Sequence, residues 1–161
     1  MSESIQEPVQ KAPPSVPRWL VRTIWVLHRA AYTVTGGRFG LRPSTPTQWG
    51  MLRLKTVGRR TAKERVAIVG YIVDGPNLVT PAMNGWADPE PAWWLNLQAN
   101  PEAVVELRGE SRRVVARAAV GDERPRLWEL FLGLGSSAFT EASAASRSRE
   151  TALVIFEPLQ G

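Results

Sequence analysis

The chain is 161 residues long, which suits a single domain with a buried core. Its hydrophobic content of 43% and charged content of 22% are ordinary for a globular protein, and its formal net charge of +5 favours an anionic partner. The sequence has no cysteine and one histidine, which excludes a disulfide framework, a thiol nucleophile and a histidine metal cluster. If the protein is an enzyme, we therefore expect a bound organic cofactor to supply its chemistry.

The first 46 residues contain a predicted tail and a predicted helix. Residues 1–16 carry three prolines and no apolar block, which is typical of a disordered tail, and they lack the pattern of a signal peptide. Residues 17–46 hold an amphipathic helix from about Arg18 to Val34 and a connector rich in glycine and proline. The helix is too short and too charged to span a bilayer. It either packs over one end of the core or lies on a membrane, so we expect a cytoplasmic protein, peripheral to the inner face of the membrane in the second case.

Residues 47–161 form the predicted main domain, which opens with a strand, a basic turn and a second strand. Leu52, Leu54 and Thr56 alternate with outward-facing residues, as in a strand with one buried face. Gly58 permits the turn, and apolar residues resume in a second strand at Arg65–Val73. The cations of this turn are Arg59, Arg60, Lys63 and Arg65.

The density of cations around this turn suggests a ligand. From Arg53 to Arg65 the chain carries six cations and one acid, and like charges this close repel one another. A bridging anion would remove that penalty, because guanidinium groups and the N–H groups of a turn suit phosphate or clustered carboxylates. The alternative is a solvated basic hairpin without a ligand, and composition alone leaves both open.

The rest of the chain predicts four further strands and two helices. The helices are expected from Pro91, in the segment PAWWLNLQAN, and after Asp122, which is a good N-cap residue. The strands are expected at Leu78–Ala82, Ala103–Arg108, Arg112–Ala119 and Thr151–Phe156. About six short, mostly antiparallel strands with two or three helices predict an α+β fold built on a small barrel or a half-open sheet.

Three blocks of sequence resemble the deazaflavin-dependent nitroreductase family. They are KTVGRRTAKER at Lys55–Arg65, VDG at Val73–Gly75 and PAWWLNLQANP at Pro91–Pro101, and VIFEP at Val154–Pro158 is similar to the usual ending of the family. The resemblance implies a split β-barrel related to flavin-binding oxidoreductases. It also implies the 8-hydroxy-5-deazaflavin coenzyme F-420, a hydride carrier with a phosphate and an oligoglutamate tail. Such a polyanion agrees with the cation-dense turn.

The same resemblance implies a set of cofactor-binding positions. The turn would hold phosphate or tail carboxylates, the second strand would line the groove, the segment after the third strand would lie along the ring, and the helix would flank the cofactor. The alternative for the two tryptophans is that they cap the barrel, and for the asparagine it is a hydrogen bond from helix to loop. The implied positions are Lys55, Arg59, Arg60, Thr61, Arg65, Val66, Ala67, Ile68, Val69, Gly70, Pro81, Ala82, Met83, Asn84, Ala92, Trp93, Trp94, Leu95 and Asn96.

The sequence departs from the family pattern on the substrate side. Met83 stands where nitroreductase members carry a serine, and the segment Gly133–Ser146 has Phe139 but no tyrosine. The groups that donate a proton and orient a nitro compound are therefore missing, and no catalytic residue is identified. We expect an apolar or open pocket walled by Met83 and Phe139, and a substrate other than a bulky nitroimidazole.

The leading hypothesis is an F-420-dependent oxidoreductase that passes a hydride from the reduced deazaflavin to an electron-poor acceptor, such as a quinone or an activated C=C bond. The alternatives are a non-catalytic protein that binds or stores the deazaflavin, and a split-barrel protein that binds flavin mononucleotide or haem. Nucleic-acid binding ranks last, because the basic hairpin lacks interleaved exposed aromatic residues.

Overall fold

A computed structural model describes residues 40–84, 89–134, 145 and 148–159. All of them belong to one compact unit, Gly37–Gly161. The predicted tail, the predicted helix at residues 18–34 and Phe139 lie outside the described residues, so the predictions made for them stay predictions. The described part of the chain contains no helix that is long and apolar enough to cross a membrane.

Six strands and two helices follow one another along the chain. They are β1 (Gly50–Val57), β2 (Glu64–Asp74), β3 (Asn77–Pro81), α1 (Ala92–Ala99), β4 (Glu102–Leu107), β5 (Glu110–Ala118), α2 (Glu123–Gly133) and β6 (Leu153–Pro158). The strands close into a barrel in the order β1-β2-β3-β6-β5-β4, with antiparallel pairing throughout. The α+β barrel expected from the sequence is confirmed, and the predicted strands match the observed ones apart from their ends.

Alternate residues of the strands fill the interior of the barrel. Leu52 and Leu54 are fully buried and Thr56 is almost so, which confirms the alternation predicted for β1. Helix α1 packs into the same core through Trp93 and Trp94, both of which are buried. The helix therefore acts as part of the barrel core and not as a surface element.

Helix α2 lies on the outside of the barrel. Leu127 and Phe131 pack in a second cluster with residues of β3 and β6, and the indole of Trp49 stacks on Phe131 with ring centroids 4.3 Å apart. Trp49 Nε1 also donates a hydrogen bond, 3.1 Å long, to the carbonyl oxygen of Phe131. These contacts show that the side of the helix carrying Leu127 and Phe131 faces the barrel.

The predicted capping of α2 by Asp122 is wrong. Asp122 has helical dihedral angles, φ −69° and ψ −17°, and its side chain accepts no capping hydrogen bond. Arg117 of β5 holds the start of the helix instead, because its guanidinium donates two hydrogen bonds to Glu123, 2.8 and 2.9 Å long, and a third to Glu157 of β6. Hydrogen bonding by Arg117 lowers the pKa of Glu123 below its ordinary value.

Gly50 is required by the packing at the start of β1. It lies opposite Tyr71 of β2, and a Cβ atom built on Gly50 would fall 2.3 Å from Cε1 of the Tyr71 ring and 2.6 Å from the backbone nitrogen of Ser44. The ring is itself held in place, because the Tyr71 hydroxyl accepts a hydrogen bond from that Ser44 N–H. No side chain therefore fits at this position without moving the backbone.

We predict that Gly50→Ala lowers the free energy of unfolding by about 1–3 kcal/mol, because it overpacks the barrel interior. Gly70→Ala is the matched control, since Gly70 lies on the outer face of β2 and its Cβ would meet Trp49 at an ordinary 3.5 Å. Its free energy should stay within about 0.5 kcal/mol of the unmodified protein. Urea unfolding of the three proteins provides the measurement, and equal effects of the two substitutions would contradict the packing account.

Candidate cofactor site

The basic turn, Gly58–Lys63, is closed by its own backbone hydrogen bonds. The N–H of Gly58 donates to the carbonyl of Lys63 over 2.8 Å, and the N–H of Ala62 donates to the carbonyl of Gly58 over 2.8 Å. The sequence predicts that Gly58 supplies the conformational freedom, but the residue in the left-handed region is Ala62, with φ 54°. Gly58 is needed for space, since a Cβ there would lie 3.1 Å from both the Lys63 carbonyl and Thr61 Oγ1.

Asn96 of α1 anchors this turn to the barrel. Its Oδ1 accepts a hydrogen bond from the N–H of Arg59 over 3.2 Å and a second from the Arg59 guanidinium over 3.4 Å. Its Nδ2 donates to Oγ1 of Thr56 over 3.3 Å. Asn96 is 4% exposed and Thr56 is 2% exposed, so these groups exchange little with water. The hydrogen bond from helix to loop, which the sequence left as one alternative for Asn96, is therefore present.

Four cations of the stretch, which we call the turn cations, have no acidic partner within ion-pair distance in the described part of the chain. They are Arg59, Arg60, Lys63 and Arg65, all exposed. The Arg65 guanidinium donates a hydrogen bond to Oγ1 of Thr61 over 3.3 Å. Lys55 differs, because its Nζ lies 2.5 Å from the carboxylate of Glu106. The turn thus presents positive charge that the described residues leave uncompensated.

The end of the barrel that carries the basic turn is called the turn end. β1 ends at the basic turn, and β3 runs parallel to β1 because both are antiparallel to β2. The segment that leaves β3, Pro81–Asn84, therefore leads toward the turn end. Helix α1 reaches the same end through the hydrogen bonds of Asn96 to Arg59.

β2 has an edge at this end without a strand partner among the described residues. β3 pairs only with Ile72, Val73 and Asp74, although β2 begins at Glu64. The backbone N–H and C=O groups of Met51 in β1 bond to Arg42, so they point away from β2. Gly70 lies opposite Met51, so its own N–H and C=O groups point away from β1, toward the open edge. Because the direction of the backbone groups alternates along a strand, those of Val66 and Ile68 face the same edge.

The side chains of the implied positions divide between the surface and the core. Those in the core are Val69, Pro81, Ala82, Trp93, Trp94 and Asn96, and Ala67 packs against it. Met83 is half-buried, and Val66 is 41% exposed. Those otherwise at least partly accessible are Lys55, Arg59, Arg60, Thr61, Arg65, Ile68, Gly70, Asn84, Ala92 and Leu95. Their roles as cofactor contacts stay predictions.

Trp94 carries a buried donor without an acceptor. Its Nε1 is inaccessible to solvent and has no hydrogen-bond partner among the residues that the structure describes. Leaving a buried N–H unpaired costs about 1–3 kcal/mol, so such a group is rarely left without a partner. The turn cations are groups that an anionic ligand rich in acceptors would satisfy, and in this respect the residues of the turn fit a phosphate-bearing cofactor.

Two residues that sequence reasoning missed are Thr56 and Glu106. Thr56 was assigned to the interior of β1 without a polar role, and Glu106 was not singled out. Glu106 lies opposite Arg53 on the neighbouring strand β4. No local pattern predicts this pairing, because the register between β1 and β4 joins segments about fifty residues apart. The alternation of β4 indicates only that the side chain of Glu106 faces outward.

A closed barrel with a cationic, hydrogen-bonded turn and an open strand edge defines a cofactor-binding oxidoreductase barrel, and comparison with known proteins identifies its family. The model of the F420H(2)-dependent quinone reductase family matches residues 25–157. The chain is also 34% identical over 123 residues to the F420H(2)-dependent quinone reductase Rv1261c of Mycobacterium tuberculosis, which covers 71% of this chain and 80% of that protein. The chain belongs to the F420H(2)-dependent quinone reductase family. It is an oxidoreductase whose cofactor is coenzyme F-420, so the resemblance to deazaflavin enzymes is confirmed.

Solved structures agree on the fold. An F420-H2 dependent reductase superimposes with a TM-score of 0.60 at 21% identity, covering 66% of this chain and 93% of that chain. A second structure, described as a domain-swapped dimer, gives a TM-score of 0.62 at 21% identity and covers 84% of this chain and 99% of that chain. At this identity the likeness establishes the barrel architecture.

We predict that Asn96→Leu releases the basic turn from α1. The substitution keeps the number and branching of the side-chain heavy atoms but removes the three hydrogen bonds of the amide, which should lower the free energy of unfolding by about 1–3 kcal/mol. The Arg59 amide should also exchange with deuterium much faster, as measured by NMR. Gln98→Leu is the control, since Gln98 is exposed on the same helix. An Arg59 amide that stays protected in Asn96→Leu would show that the turn is held by its own backbone alone.

Proposed function

We propose that this protein reduces a quinone, with the turn end of the barrel holding the anionic part of coenzyme F-420. The single observation that carries the proposal is the set of turn cations, which have no acidic partner among the described residues and stand on a turn that Asn96 anchors through Arg59. When bound in its reduced form, the deazaflavin supplies a hydride to the acceptor, which requires no nucleophile from the protein.

The basic turn is the proposed site for the phosphate and the tail. Arg59 and Arg60 offer planar donor groups that suit phosphate and carboxylate oxygens, and Thr61 adds a hydroxyl beside them. Arg65 completes the set from the start of β2, where its guanidinium donates a hydrogen bond to Thr61. Because Asn96 holds the Arg59 backbone, the turn loses little conformational freedom when it binds an anion.

The open edge of β2 is the proposed site for the polar edge of the ring. Val66, Ile68 and Gly70 turn their backbone N–H and C=O groups toward this edge. Unpaired backbone groups of a strand accept partners of complementary donor and acceptor pattern. Pro81, Ala82, Met83 and Asn84 would then form the opposite side of the groove.

The residues of the turn end favour a quinone over a nitro compound. Met83, the residue that replaces the family's serine, is half-buried and apolar. The basic turn and the segment Pro81–Asn84 contain no tyrosine or histidine, and the Tyr71 ring is buried. A quinone suits this environment, since its oxygen can take a proton from water after hydride transfer. Phe139 as a second wall stays part of the proposal.

The proposal extends to peripheral contact with the inner face of the membrane through residues 18–34. Its support is the sequence alone, in which Trp19 and Trp25 lie among arginines on an amphipathic pattern. Quinones with long apolar tails are found in membranes, so such contact would bring the acceptor within reach.

We predict that the double substitution Arg59→Ala, Arg60→Ala weakens binding of oxidised F-420 about tenfold or more, equivalent to ~1.4 kcal/mol. Fluorescence titration measures the dissociation constant, with flavin mononucleotide titrated in parallel. The loss should shrink at high salt, because exposed ionic contacts are screened.

The control for this titration is Arg108→Ala, Arg112→Ala, which removes the same charge from the β4–β5 hairpin at the other end of the barrel. If both double substitutions weaken binding equally, the effect comes from net charge and the turn is not the site. Preference of the unmodified protein for flavin mononucleotide would favour the flavin-binding alternative.

We also predict that the protein oxidises reduced F-420 with a quinone as acceptor and gives little or no turnover with a nitroimidazole. The absence of the serine and the tyrosines removes the groups that orient a nitro compound. The measurement is the recovery of oxidised-cofactor absorbance under anaerobic conditions, with quinone presented in water and in liposomes. Binding without turnover on any acceptor would support the storage alternative, and faster turnover with the nitroimidazole would contradict the proposal.

A further inference from the structure

Glu106 neutralises two cations on the outer face of the barrel, just below the basic turn. Its Oε2 accepts a hydrogen bond from Arg53 over 2.9 Å, and its Oε1 lies 2.5 Å from Nζ of Lys55. Arg53 is directly opposite Glu106 in the β1–β4 pairing, while Lys55 is diagonal to it. Burial acts to raise the pKa of Glu106, but the hydrogen bonds and charges of Lys55 and Arg53 outweigh it and hold the pKa below its ordinary value. The carboxylate is therefore ionised at neutral pH.

This pairing divides the six cations of Arg53–Arg65 into two groups. The turn cations at the end of the barrel have no acidic partner in the part of the chain that the structure describes, whereas Lys55 and Arg53 share Glu106. Lys55 precedes Gly58 by three residues, which is about 10 Å along a strand. An anionic chain that leaves the turn along the outer face of β1 meets Lys55 next, and there it must compete with Glu106.

The ion pairs formed by Glu106 lie at the surface of the barrel and are partly accessible. The side chains of Arg53, Lys55 and Glu106 are 25%, 26% and 23% exposed, so a carboxylate from solution can reach the two cations. A ligand carboxylate can therefore compete with Glu106 for Arg53 and Lys55, and the fold does not depend on which of the two carboxylates binds them. The number of ligand charges engaged beyond the turn depends on this competition.

We propose that Glu106 is a specificity-determining residue that limits how far a polycarboxylate tail engages the barrel. By holding Lys55 and Arg53, it confines strong anion binding to the turn and makes affinity depend weakly on the length of the tail. The inference rests on the proposed function, because it takes the turn as the start of the anion-binding surface.

Glu106→Gln tests the proposal through binding affinity. The probes are F-420 molecules with short and with long oligoglutamate tails, and the deazaflavin riboside without phosphate or tail, each titrated by fluorescence at low salt. We expect the long-tailed form to bind about two- to five-fold more tightly to Glu106→Gln than to the unmodified protein. The short-tailed form should gain less, and the tail-free form should not change. The gain should fall as salt is raised.

Two comparisons separate a role in tail recognition from a general effect. Glu110→Gln removes the same charge from the opposite end of the barrel, where Glu110 pairs with Arg112, and should leave the length dependence unchanged. Lys55→Met should cost more affinity for the long-tailed form in the Glu106→Gln background than in the unmodified protein. This difference requires Lys55 to be engaged only when Glu106 is removed, and a purely structural role of Glu106 would not produce it.

The outcomes distinguish this inference from the function on which it rests. Equal gains for all three probes, the same gain in Glu110→Gln, or no gain at all would overturn the role of Glu106 while leaving deazaflavin binding intact. Failure of the unmodified protein to bind any F-420 form would overturn the proposed function itself. If Glu106→Gln does not fold, Lys55→Met alone decides, because a large loss of affinity for the long-tailed form would show that Lys55 is already engaged despite Glu106.

Discussion

The hydrogen bonds of Asn96 are the interaction on which the candidate site depends. A single buried amide connects the helix that packs into the barrel, the last inward-facing residue of β1 and the backbone of the basic turn. Each partner has a separate reason to be where it is, since α1 is fixed by its tryptophans and Thr56 by the alternation of the strand. The position of the turn is therefore set by α1 and, through Asn96, by β1. Its cations are thus presented by the core of the protein, although they lie on its surface.

This arrangement answers a physical problem posed by the sequence. Exposed arginines close together repel one another and would spread apart in a free loop. Here Gly58 allows the backbone to close tightly, Ala62 takes the left-handed conformation, and Asn96 accepts from Arg59. The repulsion is retained in the folded protein, so an anion that binds the turn is attracted by all the cations and offsets their repulsion. The carboxylate of Glu106 offsets the repulsion between Arg53 and Lys55, the two cations of β1.

Much of the fold was readable from the sequence, because its signals are local. The alternation of Leu52, Leu54 and Thr56 and the position of Pro81 at a strand end each follow from properties of one segment. What the sequence did not provide is which segments meet. The pairing of β4 with β1 sets Glu106 beside Lys55, and the short pairing of β3 with β2 leaves an edge open at Val66, Ile68 and Gly70. Capping by Asp122 failed for a related reason, since Arg117 from another strand holds that helix.

The two sides of the site place different demands on the sequence. The side proposed for the cofactor includes a turn that a buried side chain of α1 hydrogen-bonds to β1, so a substitution of Asn96 or Thr56 disturbs the barrel as well as the turn. The side proposed for the acceptor begins at Met83, where the chain has left β3 and is joined to the barrel by fewer contacts. A family can therefore keep one cofactor and exchange its acceptors. The sequence agrees with that division, since the basic turn matches the deazaflavin pattern while Met83 and the segment Gly133–Ser146 differ from the nitroreductase pattern.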